Sequence, residues 1–371
     1  MLMDPCELSP SYVRSIAPYQ PGKPISELAR ELGLKEEGIV KLASNENPRG
    51  LGPRTRAAIE GALGELARYP DGNGHDLKTA LSRRYGVDMA SIVLGNGSND
   101  VLELVAHAFL GPGRASVYSQ HCFAVYPLAT QARGARGISV PAKNFGHDLD
   151  AMAAAIDDET YVVWVANPNN PTGTHARPEE LEAFVRRVPE RVIIVIDEAY
   201  NEYLAPELKS DTVKWLKRHP NLVVTRTFSK AFGLAGLRIG YALSHPDIAN
   251  IINRVRQPFN VSVPGLAAAA AALDDSAHLD ATLKLNSAGI ARLRAGLTAL
   301  GIAAPRSAGN FVLADFGRPA AGIDESLLRS GVIVRPVDNY GLPNHLRITT
   351  GTAAQNERLL SVLAPVLATA R

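Results

Sequence analysis

The stretch TRTFSKAFGLAGLRIGY, residues 225–241, holds one lysine, Lys230, between two hydroxyls, Thr227 and Ser229, and an arginine, Arg238. Gly233 and Gly236 interrupt the apolar residues in between. Three other polar clusters have a similar setting, each beside a continuous apolar run. VANPNNPTG presents Asn170 and Gly173, VIDEAYNEY presents Asp197 and Tyr200, and LGNGSNDVLELVAHAFL presents Gly97, Ser98 and Asn99. Taken singly, each has an ordinary structural reading. Asn-Pro-Asn-Asn-Pro is turn chemistry, Gly-Ser-Asn-Asp suits a helix N-cap, Asp197 could serve a cap or an ion pair, and Lys230 could be a solvated lysine.

Taken together, the clusters make a chemical set. Exposed amides at a helix start, two hydroxyls and an arginine form a phosphate cup. A carboxylate deep at a strand end can hold a proton on a heterocyclic nitrogen. A phenol and an amide can hydrogen-bond a phenolate oxygen. A lysine of lowered pKa can form a Schiff base with an aldehyde. Phosphate, pyridinium, phenolate and aldehyde together describe pyridoxal phosphate.

The elements that must position these residues can be read from the apolar pattern. Seven β-branched runs, SIVLG, ASVYS, GISVP, TYVVWVANP, RVIIVIDEAY, NLVVTRTFSK and RIGYALS, fall between residues 91 and 244. Several are continuously apolar, as strands buried on both faces of a mainly parallel sheet must be. Helical patterns such as PEELEAFVRRV lie between them. The alternation predicts an α/β, doubly wound seven-stranded sheet, with the site at the strand C-terminal ends. A proline-rich arm with one short helix, ISELARELGL, precedes it (1–48), and the large domain spans 49–262. A smaller α+β domain, 263–371, opens with the helix GLAAAAAAL. It continues through the strands GNFVLADF, GVIVRPV and HLRITTG.

Composition sets the wider limits. The chain has 371 residues, 39 Lys plus Arg against 37 Asp plus Glu, and a net charge of +2, so electrostatics argue for neither a nucleic-acid nor a membrane partner. Two cysteines make neither a disulfide framework nor a metal site and fit a reducing, cytoplasmic setting. The first residues lack the apolar stretch of a signal peptide, and no run of 18 apolar residues occurs.

The order NPNNPTG, DEAY, SKAFGLAGLRIGY resembles the fold-type-I aminotransferases that use pyridoxal 5'-phosphate. KLASNENPRG and RYPDGNG resemble the histidinol-phosphate aminotransferase branch, and the likeness covers the chain. The resemblance implies that Lys230 is the Schiff-base lysine and proton carrier, and that Asp197 pairs with the ring nitrogen. Asn170 and Tyr200 would contact the ring hydroxyl oxygen, and Phe123 in SQHCFAVYPLA would stack on the ring where the family often has tyrosine. Phe123 as a core residue is the competing reading. Ser229, Arg238 and the amides of Ser98 and Asn99 would hold the phosphate, with Thr227 assisting. Tyr69 would reach it from the partner subunit of a homodimer with shared sites. The family's G-x-D-E segment is Gly97-Ser98-Asn99-Asp100 here, one acid fewer.

For the substrate, Arg347 in HLRITTG matches the family's anion-binding arginine, and Arg335 in VIVRPV a second one that this branch adds. Two arginines suit a dianion better than a carboxylate; a structural ion pair is the alternative for each. Tyr19 resembles a further phosphate contact, and Asn45 or Glu46 would line the same pocket. The implied reaction moves an amino group between L-glutamate and imidazole-acetol phosphate, giving 2-oxoglutarate and L-histidinol phosphate. An aromatic amino-acid aminotransferase and a threonine-phosphate decarboxylase are the neighbouring alternatives. A non-catalytic pyridoxal phosphate sensor is disfavoured, because the chain is expected to start directly with the arm. A nucleotide-binding protein is disfavoured too, since neither Gly-rich fingerprint occurs.

Overall fold

A computed structural model describes residues 4–369. Among them, twelve strands run in chain order: β1 Val40–Lys41, β2 Ile92–Gly95, β3 Ala115–Ser119, β4 Arg136–Val140, β5 Thr160–Ala166, β6 Ile193–Asp197, β7 Leu222–Thr227, β8 Gly240–Ser244, β9 Phe311–Asp315, β10 Val332–Ile333, β11 Arg335–Pro336 and β12 His345–Thr349. Seven of them form one sheet of order β2-β8-β7-β6-β5-β3-β4. β4, β3, β5, β6 and β7 run parallel, while β8 is antiparallel to both β7 and β2.

The continuous apolar runs follow from burial on both faces. Val163, Val165, Ile194, Ile196 and Val224 enter one core, and their chain neighbours Val162, Trp164, Ile193, Val195 and Val223 enter the other. Helices cover each side. Pro178–Arg187 contributes Leu181 and Phe184 to the first core, and Ser98–Phe109 contributes Val101 and Val105 to the second. The Pro178 helix has proline at its first turn, Glu179 and Glu180 beside it, and Arg186 and Arg187 at its end, in the order the helix dipole favours. Because β3, β5, β6 and β7 are parallel, the loops that follow them share one edge.

The smaller unit has a three-stranded antiparallel sheet, β11-β12-β9, and a two-stranded parallel pair, β1-β10. Here the structure departs from the single strand expected for GVIVRPV. Val332 and Ile333 pair with Val40 and Lys41 of the N-terminal segment, whereas Arg335 and Pro336 pair with β12. Pro336 has no N–H to donate, so it suits the short edge strand. We also propose moving the domain boundary from 262/263 to the turn at Asp274. The helix Val263–Leu273 buries Ala268, Ala269, Ala272 and Leu273 in the core of the large sheet, so it belongs with that unit.

Among the described residues no helix is long and apolar enough to cross a membrane, and no group of three His, Cys, Asp or Glu side chains is placed to hold a metal ion.

Candidate active site

A cavity at the shared strand edge brings together Tyr19, Asn45, Ser98, Asn99, Phe123, Asn170, Asp197, Tyr200, Thr227, Ser229, Lys230, Arg238, Arg335 and Arg347. These residues are up to about 330 positions apart in sequence; the ends of the parallel strands gather Asn170, Asp197, Tyr200, Thr227, Ser229 and Lys230, and the second sheet and the N-terminal segment bring Arg335, Arg347, Tyr19 and Asn45 to them. Tyr69 lies elsewhere: it is 81% exposed and stacked on Phe259 at 4.7 Å. Of the pair left open in the N-terminal segment, Asn45 lines the cavity, while Glu46 pairs with Lys41 at 3.1 Å.

Lys230 stands in the turn after β7. Its Nζ donates to the Ser44 carbonyl at 3.2 Å. Burial first, then the charges of Arg347 and Arg238, bring its pKa down to about 8, against the opposing pull of Glu46 and Asp197. A fraction of the amine is therefore neutral, and nucleophilic, near pH 7.

Asp197 ends β6 and is 4% exposed. The Tyr126 hydroxyl donates to Oδ2 at 2.8 Å and the Thr225 hydroxyl to Oδ1 at 3.0 Å. Burial raises its pKa, while these two bonds oppose the rise. Tyr126 is one residue that reading the sequence missed. It lies three positions after Phe123, and the two rings meet edge-on at 5.9 Å. Nothing in the sequence marks it, because its contact with Asp197 spans 71 positions.

Tyr200 is also buried. Its hydroxyl accepts from Asn45 Nδ2 at 2.8 Å, and burial pushes its pKa up to about 12, so it stays a neutral phenol that can donate. Asn45 is itself fixed by Thr349, whose hydroxyl donates to Asn45 Oδ1 at 2.9 Å, and by Asn310, which donates to the Asn45 carbonyl at 2.9 Å.

At the opposite end, the helix Ser98–Phe109 points its N-terminus into the cavity. Gly97 precedes it with φ of 84°, and a Cβ there would lie 2.4 Å from an Arg238 terminal nitrogen. Only glycine lets the guanidinium come this close. Arg238 also donates to the Ser229 hydroxyl at 3.3 Å. A cation packed against the positive end of a helix dipole is unfavourable alone and favourable around a shared anion. The donors at this end therefore fit a phosphate. With the buried carboxylate of Asp197 and the aromatic ring of Phe123 lining the same cavity, the set fits pyridoxal phosphate.

The remaining wall is cationic. Arg335 and Arg347 are direct cross-strand partners, each 6% exposed. Arg347 donates to Asn170 Oδ1 at 2.6 Å and to the Ala43 carbonyl at 2.5 Å, and its Nε is buried without a partner. Arg335 donates to the Gln20 carbonyl at 2.7 Å and lies 5.4 Å from the Tyr19 ring centre. Their partners are carbonyls and an amide rather than carboxylates. Like charges directly opposite one another destabilise a sheet, and burial depresses the pKa of Arg347. A dianion in the cavity would offset both costs.

Comparison with known proteins agrees with this geometry. The family described as aminotransferase class I and II matches residues 37–363. Histidinol-phosphate aminotransferase 1 of Thiobacillus denitrificans is 60% identical over 98% of this chain and 94% of its own length. Histidinol-phosphate aminotransferase 2 of Nitrosospira multiformis is 56% identical over 99% and 94%. The crystal structure of histidinol-phosphate aminotransferase from Sinorhizobium meliloti, in complex with pyridoxal-5'-phosphate, superposes with a TM-score of 0.90 at 32% identity, covering 97% of this chain and 98% of that one. The chain belongs to the class I and II aminotransferase family.

Proposed function

We propose that the protein is a histidinol-phosphate aminotransferase, exchanging an amino group between L-glutamate and imidazole-acetol phosphate with pyridoxal 5'-phosphate as cofactor. The observation that carries this reading is the buried arginine pair, Arg335 opposite Arg347, with no carboxylate among its hydrogen-bond partners. A phosphate can accept from both guanidiniums at once. The side-chain carboxylate of glutamate takes the same place in the other half of the reaction.

When bound, pyridoxal phosphate supplies an aldehyde carbon and an electron-withdrawing ring, which make the α-proton of an amino acid removable. The chain's residues do the rest. Lys230 takes and returns that proton at Nζ, and a pKa of about 8 keeps both of its forms populated near neutral pH. Asp197 presents its charge to the ring nitrogen, and Tyr126 and Thr225 bond one oxygen each, so the carboxylate cannot turn away. Tyr200 and Asn170 would bond the ring oxygen. Ser98, Asn99, Thr227, Ser229 and Arg238 would hold the phosphate end, and Phe123 would cover the ring face. Tyr19 closes the anion side from the arm.

The exposed Tyr69 would complete the phosphate cup of a second copy in a cytoplasmic homodimer. A monomer that binds pyridoxal phosphate normally, seen by sedimentation, contradicts that part. Initial rates with L-glutamate as donor test the substrate. Imidazole-acetol phosphate should exceed phenylpyruvate, and threonine phosphate should release no carbon dioxide. A preference for phenylpyruvate would make the protein an aromatic amino-acid aminotransferase instead.

A further inference from the structure

The segment 143–146 is a tight hairpin turn, its ends joined by Lys143 and Gly146 bonds of 3.0 and 2.9 Å. Its two central residues, Asn144 and Phe145, have φ of 51° and 63°. Asparagine tolerates that region, but a bulky aromatic residue rarely does, because its Cβ crowds the adjacent carbonyl. Glycine would serve the turn without strain. The Phe145 ring therefore calls for an explanation outside the turn.

Its surroundings supply one. The half-buried ring lies edge-on to His345 at 5.4 Å and tilted against His121 at 6.2 Å, and it packs against the buried cluster of Leu313, Val337, Tyr340 and Leu342. Both histidines stand two residues before a site residue, His345 before Arg347 and His121 before Phe123. Residues two apart on a strand share a face, so Phe145 supports β12 on the side from which Arg347 projects. The backbone of the turn reaches a third segment. Phe145 O accepts from the Thr174 hydroxyl at 3.3 Å, Thr174 meets Thr172 at 2.9 Å, and Asn169 Nδ2 donates both to Thr172 Oγ1 at 2.9 Å and to the His121 carbonyl at 2.8 Å. That loop carries Asn170. One ring and its carbonyl thus touch all three segments that present Phe123, Asn170 and Arg347.

We propose that Phe145 is a positioning residue that sets the separation between the cofactor side of the site and the anion-binding Arg347. It contacts no substrate itself. The inference rests on the reading of Arg347 as the substrate's anion partner.

The test uses the pyridoxal-phosphate-loaded enzyme with Phe145→Gly, which removes both ring and strain, and Phe145→Leu, which keeps apolar bulk. The half-reaction with L-glutamate is followed by absorbance, and steady-state rates are taken with imidazole-acetol phosphate. Phe145→Gly should lower kcat/KM for both anions by about tenfold to a hundredfold, mainly through KM. Affinity for pyridoxal phosphate should stay within about twofold of wild type, and Phe145→Leu should recover most of the loss. Hydrogen exchange at residues 345–349 in the cofactor-free protein should rise in Phe145→Gly. A kcat/KM within about threefold of wild type overturns the proposal, as does an equal loss of cofactor affinity, which would mark a merely structural role. If Phe145→Gly does not fold, His345→Ala reads the same contact from its other side, and a normal KM there overturns it. A wild type that ignores both substrates contradicts the functional reading instead; an active wild type beside an unaffected Phe145→Gly contradicts only this inference.

Discussion

The two ends of the cavity are built differently. On the cofactor side, Lys230, Asp197, Asn170 and Tyr200 come from the loops and strand ends of one sheet, and Asp197 is held by bonds from Tyr126 and Thr225. On the anion side, Arg335 and Arg347 come from a second sheet and Tyr19 from the arm, and two buried cations face one another across a ladder. At the first end the carboxylate is fixed by its own neighbours. At the second the paired arginines have only carbonyls and an amide as partners, with no counter-charge among them. A preorganised carboxylate suits the part proposed to hold a cofactor through every turnover, and uncompensated charge suits the part proposed to admit and release substrates.

Substitutions can break this contrast. The largest loss is expected from Lys230→Ala on the cofactor side: kcat should fall by about 10³-fold or more, and borohydride should no longer fix added pyridoxal phosphate to the chain. Arg335→Leu on the anion side should instead raise KM for imidazole-acetol phosphate by about 10–100-fold, the worth of one charge-assisted contact. Steady-state kinetics should find kcat, and the rate on phenylpyruvate, little changed.

Tyr126→Phe is expected to cost only a few-fold in kcat. Its bond lowers the Asp197 pKa, so its loss lets that pKa rise, and the acid limb of the pH–rate profile should move to higher pH. A pH series on the unsubstituted protein probes Lys230 itself. Because burial depresses its pKa to about 8, the neutral amine is gained as pH rises to that value and is nearly complete above it. Capture of pyridoxal phosphate by the cofactor-free protein should therefore rise steeply from pH 6 to 8 and level off about one unit above that. A lysine with its ordinary pKa of 10.5 would keep gaining up to about tenfold per pH unit beyond that.

Much of the cofactor side was legible in the sequence. Runs such as VVWVA and IIVI are apolar at every position because both faces of β5 and β6 are buried, and the polar residues that follow them, such as Asp197, stand out for that reason. The anion side was harder to read. Arg335 could be named, but not its partner strand, since GVIVRPV divides between two sheets at Val334 and nothing local marks a change of neighbour. The helix Val263–Leu273 is alanine-rich on every face, so its pattern does not say which core it enters. Tyr126 and Phe145 read as ordinary aromatic residues. Their importance lies in contacts with residues far along the chain, such as Asp197 and His345, which only the fold creates.

The central claim is that the proposed role of the arginine pair gives this site its preference for a phosphorylated ketone. It is tested most directly by kcat/KM for imidazole-acetol phosphate against the same ketone without its phosphate, with L-glutamate as donor. Two charge-assisted contacts predict a preference of about 10²–10⁴ for the phosphorylated ketone. Rates within about threefold of each other would contradict the claim.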